Sequence, residues 1–308
     1  MAGTTGQTNA VMKWVGIATA VISLILGGRQ VYLMIQEAAE RRGKVAGLTA
    51  EAERLAASGE FISAWQSAAR AVELDPGAVR LQANIGMQWL REARVSSGGH
   101  PASFAEITQT VLPVLYRVVD TTERSRAATI IAHIGWAGYL RFKEGERGMQ
   151  VGEQFARALL LDSTNCYAHV MAGFWDLFPG HGALSVPSAE RHFSRALLHG
   201  GDSVFVRSLI VYAYENCPAP GSHLRALRAV NDMRVAGDPL GEAIRGSMLS
   251  DLYSMYLDNS LSAIDSLLTP RQQLDTFTWV TDGIDIADRP YLRDILARLK
   301  RTVGEEGR

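Results

Sequence analysis

Val151-Gly-Glu-Gln-Phe-Ala-Arg-Ala-Leu-Leu-Leu-Asp-Ser163 decides how this chain is read, because two further versions of it stand in the same sequence. The earlier is Ala64-Trp-Gln-Ser-Ala-Ala-Arg-Ala-Val-Glu-Leu-Asp-Pro76, and the later is Ala189-Glu-Arg-His-Phe-Ser-Arg-Ala-Leu-Leu-His-Gly-Gly201. Aligned, each has a small or β-branched residue, then Ala or Phe four places on, then Arg-Ala-Val/Leu. Ala64, Ala68 and Ala71 fall at i, i+4 and i+7, one narrow stripe on a helix against which a second helix can press.

Outward from these stretches, a second phrase recurs: Ile85-Gly86-Met87, Ile134-Gly135-Trp136 and Ala172-Gly173-Phe174. Glycine in mid-helix costs up to about 1 kcal/mol relative to alanine, so its recurrence marks places where another helix comes close. Pairing these phrases with the Arg-Ala-Leu helices gives helix–turn–helix units. Such units resemble the tetratricopeptide-repeat (TPR) superfamily, whose period is about 34 residues. Between Leu48 and Pro76 the resemblance is carried by Leu55, Gly59, Phe61, Ala64, Ala68, Ala71 and the closing Pro76. Between Cys166 and Ala196 it is carried by Gly173, Ala189, Phe193 and Ala196. Ala71 and Ala158 lie 87 apart (158 − 71) and Ala158 and Ala196 lie 38 apart, so the repeats are irregular. The surplus in the second interval fits the loop Phe178–Pro187. The stretch Tyr167–Cys217 is also similar, more faintly, to the T component associated with some TRAP transporters. That family carries a lipid-anchoring cysteine near its start, which this chain lacks.

The 308 residues hold 31 basic and 32 acidic side chains, so no nucleic-acid surface is expected. Cys166 and Cys217 cannot build a disulfide framework. After a polar tail, residues 1–10, comes an apolar run from Val11 that is interrupted by Arg29 and resumes through Val31–Ile35. Its uncharged part, Trp14–Gly28, would span roughly 22 Å as helix against a hydrocarbon core of about 30 Å. Snorkelling of Lys13 and Arg29 extends the span to residues 11–35, a single membrane anchor. The competing readings are a buried or interfacial helix and a cleaved signal peptide, though no small-x-small cleavage site follows the apolar core. Lys13 precedes the core and Arg29, Arg41, Arg42 and Lys44 follow it, which places the C-terminal part in the cytoplasm.

The expected architecture is therefore all-α: a transmembrane helix, then a TPR-like helical-hairpin solenoid with irregular repeats. Its segments are a charged helical linker over 36–46, repeats over 47–217 and a helical C-terminal cap over 218–308. Within the repeats, Gly59 marks a turn, Pro76 a helix end, and Pro113 a kink or break inside Ser103–Val119. In the cap, helices are expected at Leu224–Val235, Leu240–Tyr256, Ser260–Leu268 and Tyr291–Arg301.

Catalytic signatures are missing. There is no phosphate-binding glycine loop and no Gly-x-Ser-x-Gly elbow. Cys166 and His169 stand at i, i+3 without a second ligand pair, Glu190-Arg-His192 lacks zinc-peptidase spacing, and Asp282–Asp288 lacks EF-hand order. His181, between two glycines, reads as a loop-shaping residue. No cofactor or metal is expected, and no enzyme. The resemblance implies instead a protein or peptide partner held along the first helices of the units, which points to Arg80, Met87, Trp136, Tyr139, Tyr167 and Phe174. Large residues at helical spacing are more often core, so burial of the same positions is the competing expectation.

Overall fold

The computed structural model describes residues 32–93, 103–200, 203–219, 221–235 and 268–306. Every regular element among them is helical, and no strand occurs among the described residues. The chain divides into two compact units, residues 1–89 and 90–308. Most of the expected anchor, and the expected helix at 240–256, lie outside the described residues. Among the described residues no helix is long and apolar enough to cross a membrane.

In the first unit, α1 (residues 32–57) turns into α2 (Phe61–Leu74). The turn is set by Gly59 at φ 81°, with Glu60 N–H donating to Leu55 C=O (2.9 Å) and Gly59 N–H to Ala56 C=O (3.1 Å). This pairing satisfies the last carbonyls of the helix and needs a left-handed residue at its end. Ala64, Ala68 and Ala71 are fully buried, as the stripe requires. Pro76 stops α2 and opens a single 3-10 turn, Pro76–Ala78, whose Gly77 N–H is held by Asp75 Oδ1 at 2.8 Å. Next comes α3 (Val79–Glu92), whose last residues, from Leu90 on, belong to the second unit. Tyr32, Leu33, Met34 and Ile35 open α1 fully helical and exposed.

The second unit contains α4 (Phe104–Val119), α5 (Arg124–Lys143), α6 (Val151–Leu161), α7 (Cys166–Leu177), α8 (Val186–Gly200), α9 (Val204–Glu215) and α10 (Ser222–Val235). The last two are α11 (Pro270–Val280) and α12 (Pro290–Glu306). Consecutive helices pair as α5 with α6, α7 with α8 and α9 with α10, and α7 also lies against both α5 and α9. The first two of these hairpins close at a glycine. A Cβ on Gly135 would stand 2.7 Å from Phe155 Cε1, and one on Gly173 would stand 2.6 Å from Phe193 Cε1. Gly135 and Gly173 are 38 apart, as are Phe155 and Phe193, so the same contact is built twice.

One expectation is narrowed, and one helix lies where none was expected. Pro113 does not break α4, which runs through it. Pro113 and Gln109, whose carbonyl loses its donor, are both exposed, so the orphaned group lies on the solvent side of the helix. Secondly, α11 was not anticipated. Its start carries a capping box, Thr269 with Gln272, and a proline at its first position; Thr276 Oγ1 donates to Asn231 Oδ1 at 2.6 Å, tying it to α10.

Candidate functional site

α5 is buried on all sides from Ala127 to Leu140, apart from half-buried Thr129, and in that apolar run stands one imidazole, His133. Its Nδ1 lies 2.7 Å from the Thr129 carbonyl and its Nε2 lies 2.9 Å from Arg91 Nη1. A carbonyl accepts only and a guanidinium donates only, so the tautomer follows: Nδ1 carries the proton and Nε2 accepts from Arg91. Burial first, and then the adjacent Arg91 charge, push the His133 pKa down to about 3. The ring is neutral at every physiological pH.

Arg91, near the end of α3, is half-buried, and burial lowers its pKa from the ordinary value. Its guanidinium carbon lies 5.1 Å from the ring centre of Tyr167 on α7 and 5.7 Å from that of Phe205 on α9. Those two rings are 6.0 Å apart. Below this cluster, Thr129 Oγ1 accepts from Asn165 Nδ2 at 2.8 Å, and Asn165 Oδ1 caps α7 through Ala168 N–H. Three helices thus contribute one side chain each to a bracket around a cation carried by a fourth. Among the described residues no carboxylate forms an ion pair with Arg91. A cation is normally taken out of water against a carboxylate; here the hydrogen-bonded acceptor is a neutral imidazole, and Glu92 acts on the charge without pairing with it.

No family model, no curated protein and no solved structure matches the chain. The site is therefore argued from its own geometry. Of the residues singled out in the sequence, Tyr167 belongs to the bracket and is half-buried, while Arg80 is exposed on α3 in the first unit. Met87, Trp136, Tyr139 and Phe174 are interior, with Trp136 wholly buried. Trp136 Nε1 donates to the Leu90 carbonyl at 3.0 Å. Its ring is 5.3 Å from Phe174, which stacks 5.8 Å from Tyr212 on α9. These three residues recur every 38 positions and tie α5, α7 and α9 together as core. Sequence reading missed Arg91, His133 and Phe205. The available signal was His133 itself, a lone polar residue between Ile130 and Tyr139 that must find partners when buried.

A second histidine cluster joins α7 to α8. His169 Nε2 lies 2.9 Å from the Ser163 carbonyl and must carry a proton, so His169 Nδ1 accepts from His192 Nδ1 at 3.0 Å. Burial lowers both pKa values; nearby positive charge adds to this at His169, while Asp176 opposes it at His192. Among the described residues no group of three His, Cys, Asp or Glu side chains is placed to hold a metal. Asp282, Asp285 and Asp288 are exposed in the loop between α11 and α12.

Proposed function

We propose that this chain is a non-catalytic, membrane-tethered helical-repeat scaffold that binds a protein partner, in the manner its resemblance to TPR proteins implies. The observation that carries the reading is the order of packing in the second unit. Successive hairpins place α7 between α5 and α9, and the Arg91 bracket spans these first helices rather than the second helix of any hairpin. Half-buried arginine and aromatic side chains are the residues that anchor interfaces when a partner desolvates them. The tether is proposed from residues 11–35 and from the exposed apolar start of α1, and the repeats are placed on the cytoplasmic side by flanking charge.

A photo-crosslinking residue at Val204, which is exposed beside Phe205, tests the reading against one at Leu160, which is exposed on α6. In the native cell, a defined protein adduct is expected at Val204 and none at Leu160. No adduct at Val204, or the same adducts at both, refutes it. A reporter fused at Arg308 that is active only outside the cytoplasm would instead favour a transport accessory protein resembling the TRAP T component.

A further inference from the structure

We propose that Arg91 is the anchor for a carboxylate side chain on an acidic segment of the protein partner, laid across α5, α7 and α9. This rests on the scaffold reading and adds the chemistry of the partner to it. His133 uses one of the five donor hydrogens of Arg91, and the others have no acceptor among the described residues. Arg91 is half-buried rather than fully enclosed, and none of its nitrogens stands among the buried atoms without a partner in the described residues. Tyr167 and Phe205 restrict the guanidinium before anything binds, which lowers the entropy lost when a ligand docks.

The surrounding helices lean basic. α5, α7 and α9 together carry Arg124, Arg126, Arg141, Lys143 and Arg207 against two acids, Asp176 and Glu215, each near the C-terminal end of its helix. Glu92 is next in sequence but exposed and not ion-paired with Arg91. A planar arginine fork matches a carboxylate through two parallel hydrogen bonds, whereas a lysine offers only a point charge. The flanking rings give the segment's apolar residues a surface, so acidic and apolar residues should alternate in it.

The test uses the full chain in a neutral detergent and a fluorescein-labelled decapeptide of alternating leucine and aspartate, with fluorescence anisotropy as readout. Binding should be saturable and weaken with salt, and the leucine–lysine counterpart should not bind. Arg91→Gln should weaken binding about tenfold to a hundredfold, the span of a charge-assisted hydrogen bond. Arg91→Lys keeps the charge and provides a second folded variant; it should also weaken binding, through loss of the fork. Arg157→Gln, exposed on α6, should leave it unchanged. Wild-type affinity in either folded Arg91 variant overturns the proposal, as does equal binding of the lysine peptide. Displacement of the peptide by inorganic phosphate at lower concentration than by glutarate overturns the carboxylate assignment. A Val204 adduct that persists in Arg91→Gln would leave the scaffold standing and remove this anchor.

Discussion

Acid should weaken this fold through His133, and the size of the effect follows from its burial. The folded pKa is about 3 against about 6.5 in an unfolded chain. The unfolded state therefore binds the proton first, and stability falls as pH drops below about 6.5, continuing until about pH 3. Over most of that window the slope is about 1.4 kcal/mol per pH unit, so between pH 7.5 and 5 the loss is about 2 kcal/mol. His169 and His192 are shifted in the same direction and add to the raw slope. The informative quantity is the difference between wild type and His133→Gln. Glutamine offers Arg91 an uncharged acceptor and does not titrate. Denaturation in neutral detergent at pH 7.5, 6.5, 5.5 and 5 should show wild type losing about 2 kcal/mol more than the variant. Parallel losses in the two proteins would refute the neutral, buried imidazole and the hydrogen-bond assignment built on it.

Trp136→Ala should cost about 3–5 kcal/mol, with more lost because the Leu90 carbonyl is orphaned; a melt as stable as wild type would contradict its burial. Gly173→Ala sets a propensity gain of about 1 kcal/mol against overpacking of about 1–3 kcal/mol. Because the new methyl would meet Phe193 at 2.6 Å and the Ala189 carbonyl at 3.1 Å, the melting temperature should fall. Gly47→Ala, with nothing within 4 Å of the new atom, should raise it. Ile22→Arg should release the protein from carbonate-washed membranes, since a charge at bilayer centre costs about 2.5–3.5 kcal/mol; retention would refute the single span.

What could be read in advance was local. Gly59 and Pro76 act within a few residues of themselves, and the alanine stripe of α2 shows its periodicity without reference to any partner. The Arg91 bracket was not legible because its contacts join residues far apart in sequence, 42 positions in the case of Arg91 and His133. Trp136 and Phe174 sit beside the glycine seams, where repeat logic assigns a groove. α5 packs against α4, α6 and α7 at once, so a large side chain one residue from the seam is still enclosed. α11 escaped notice because its polar face, Arg271, Gln272 and Asp275, outweighs a short buried edge of Gln273, Thr276, Phe277 and Val280.

The duplicated seat at Gly135 and Gly173 has a consequence for assembly of the chain. Each accepts the edge of a phenylalanine from the following helix, and the seats differ only in a lesser contact, Gln154 Cβ at Gly135 and the Ala189 carbonyl at Gly173. Correct matching must then come from tethering: residues 144–150 join α5 to α6 and residues 178–185 join α7 to α8. These short connectors keep the right aromatic at high local concentration beside its own glycine. They act as proofreaders, and severing one while leaving every contact chemically possible would expose the chain to exchange of hairpins between neighbouring molecules.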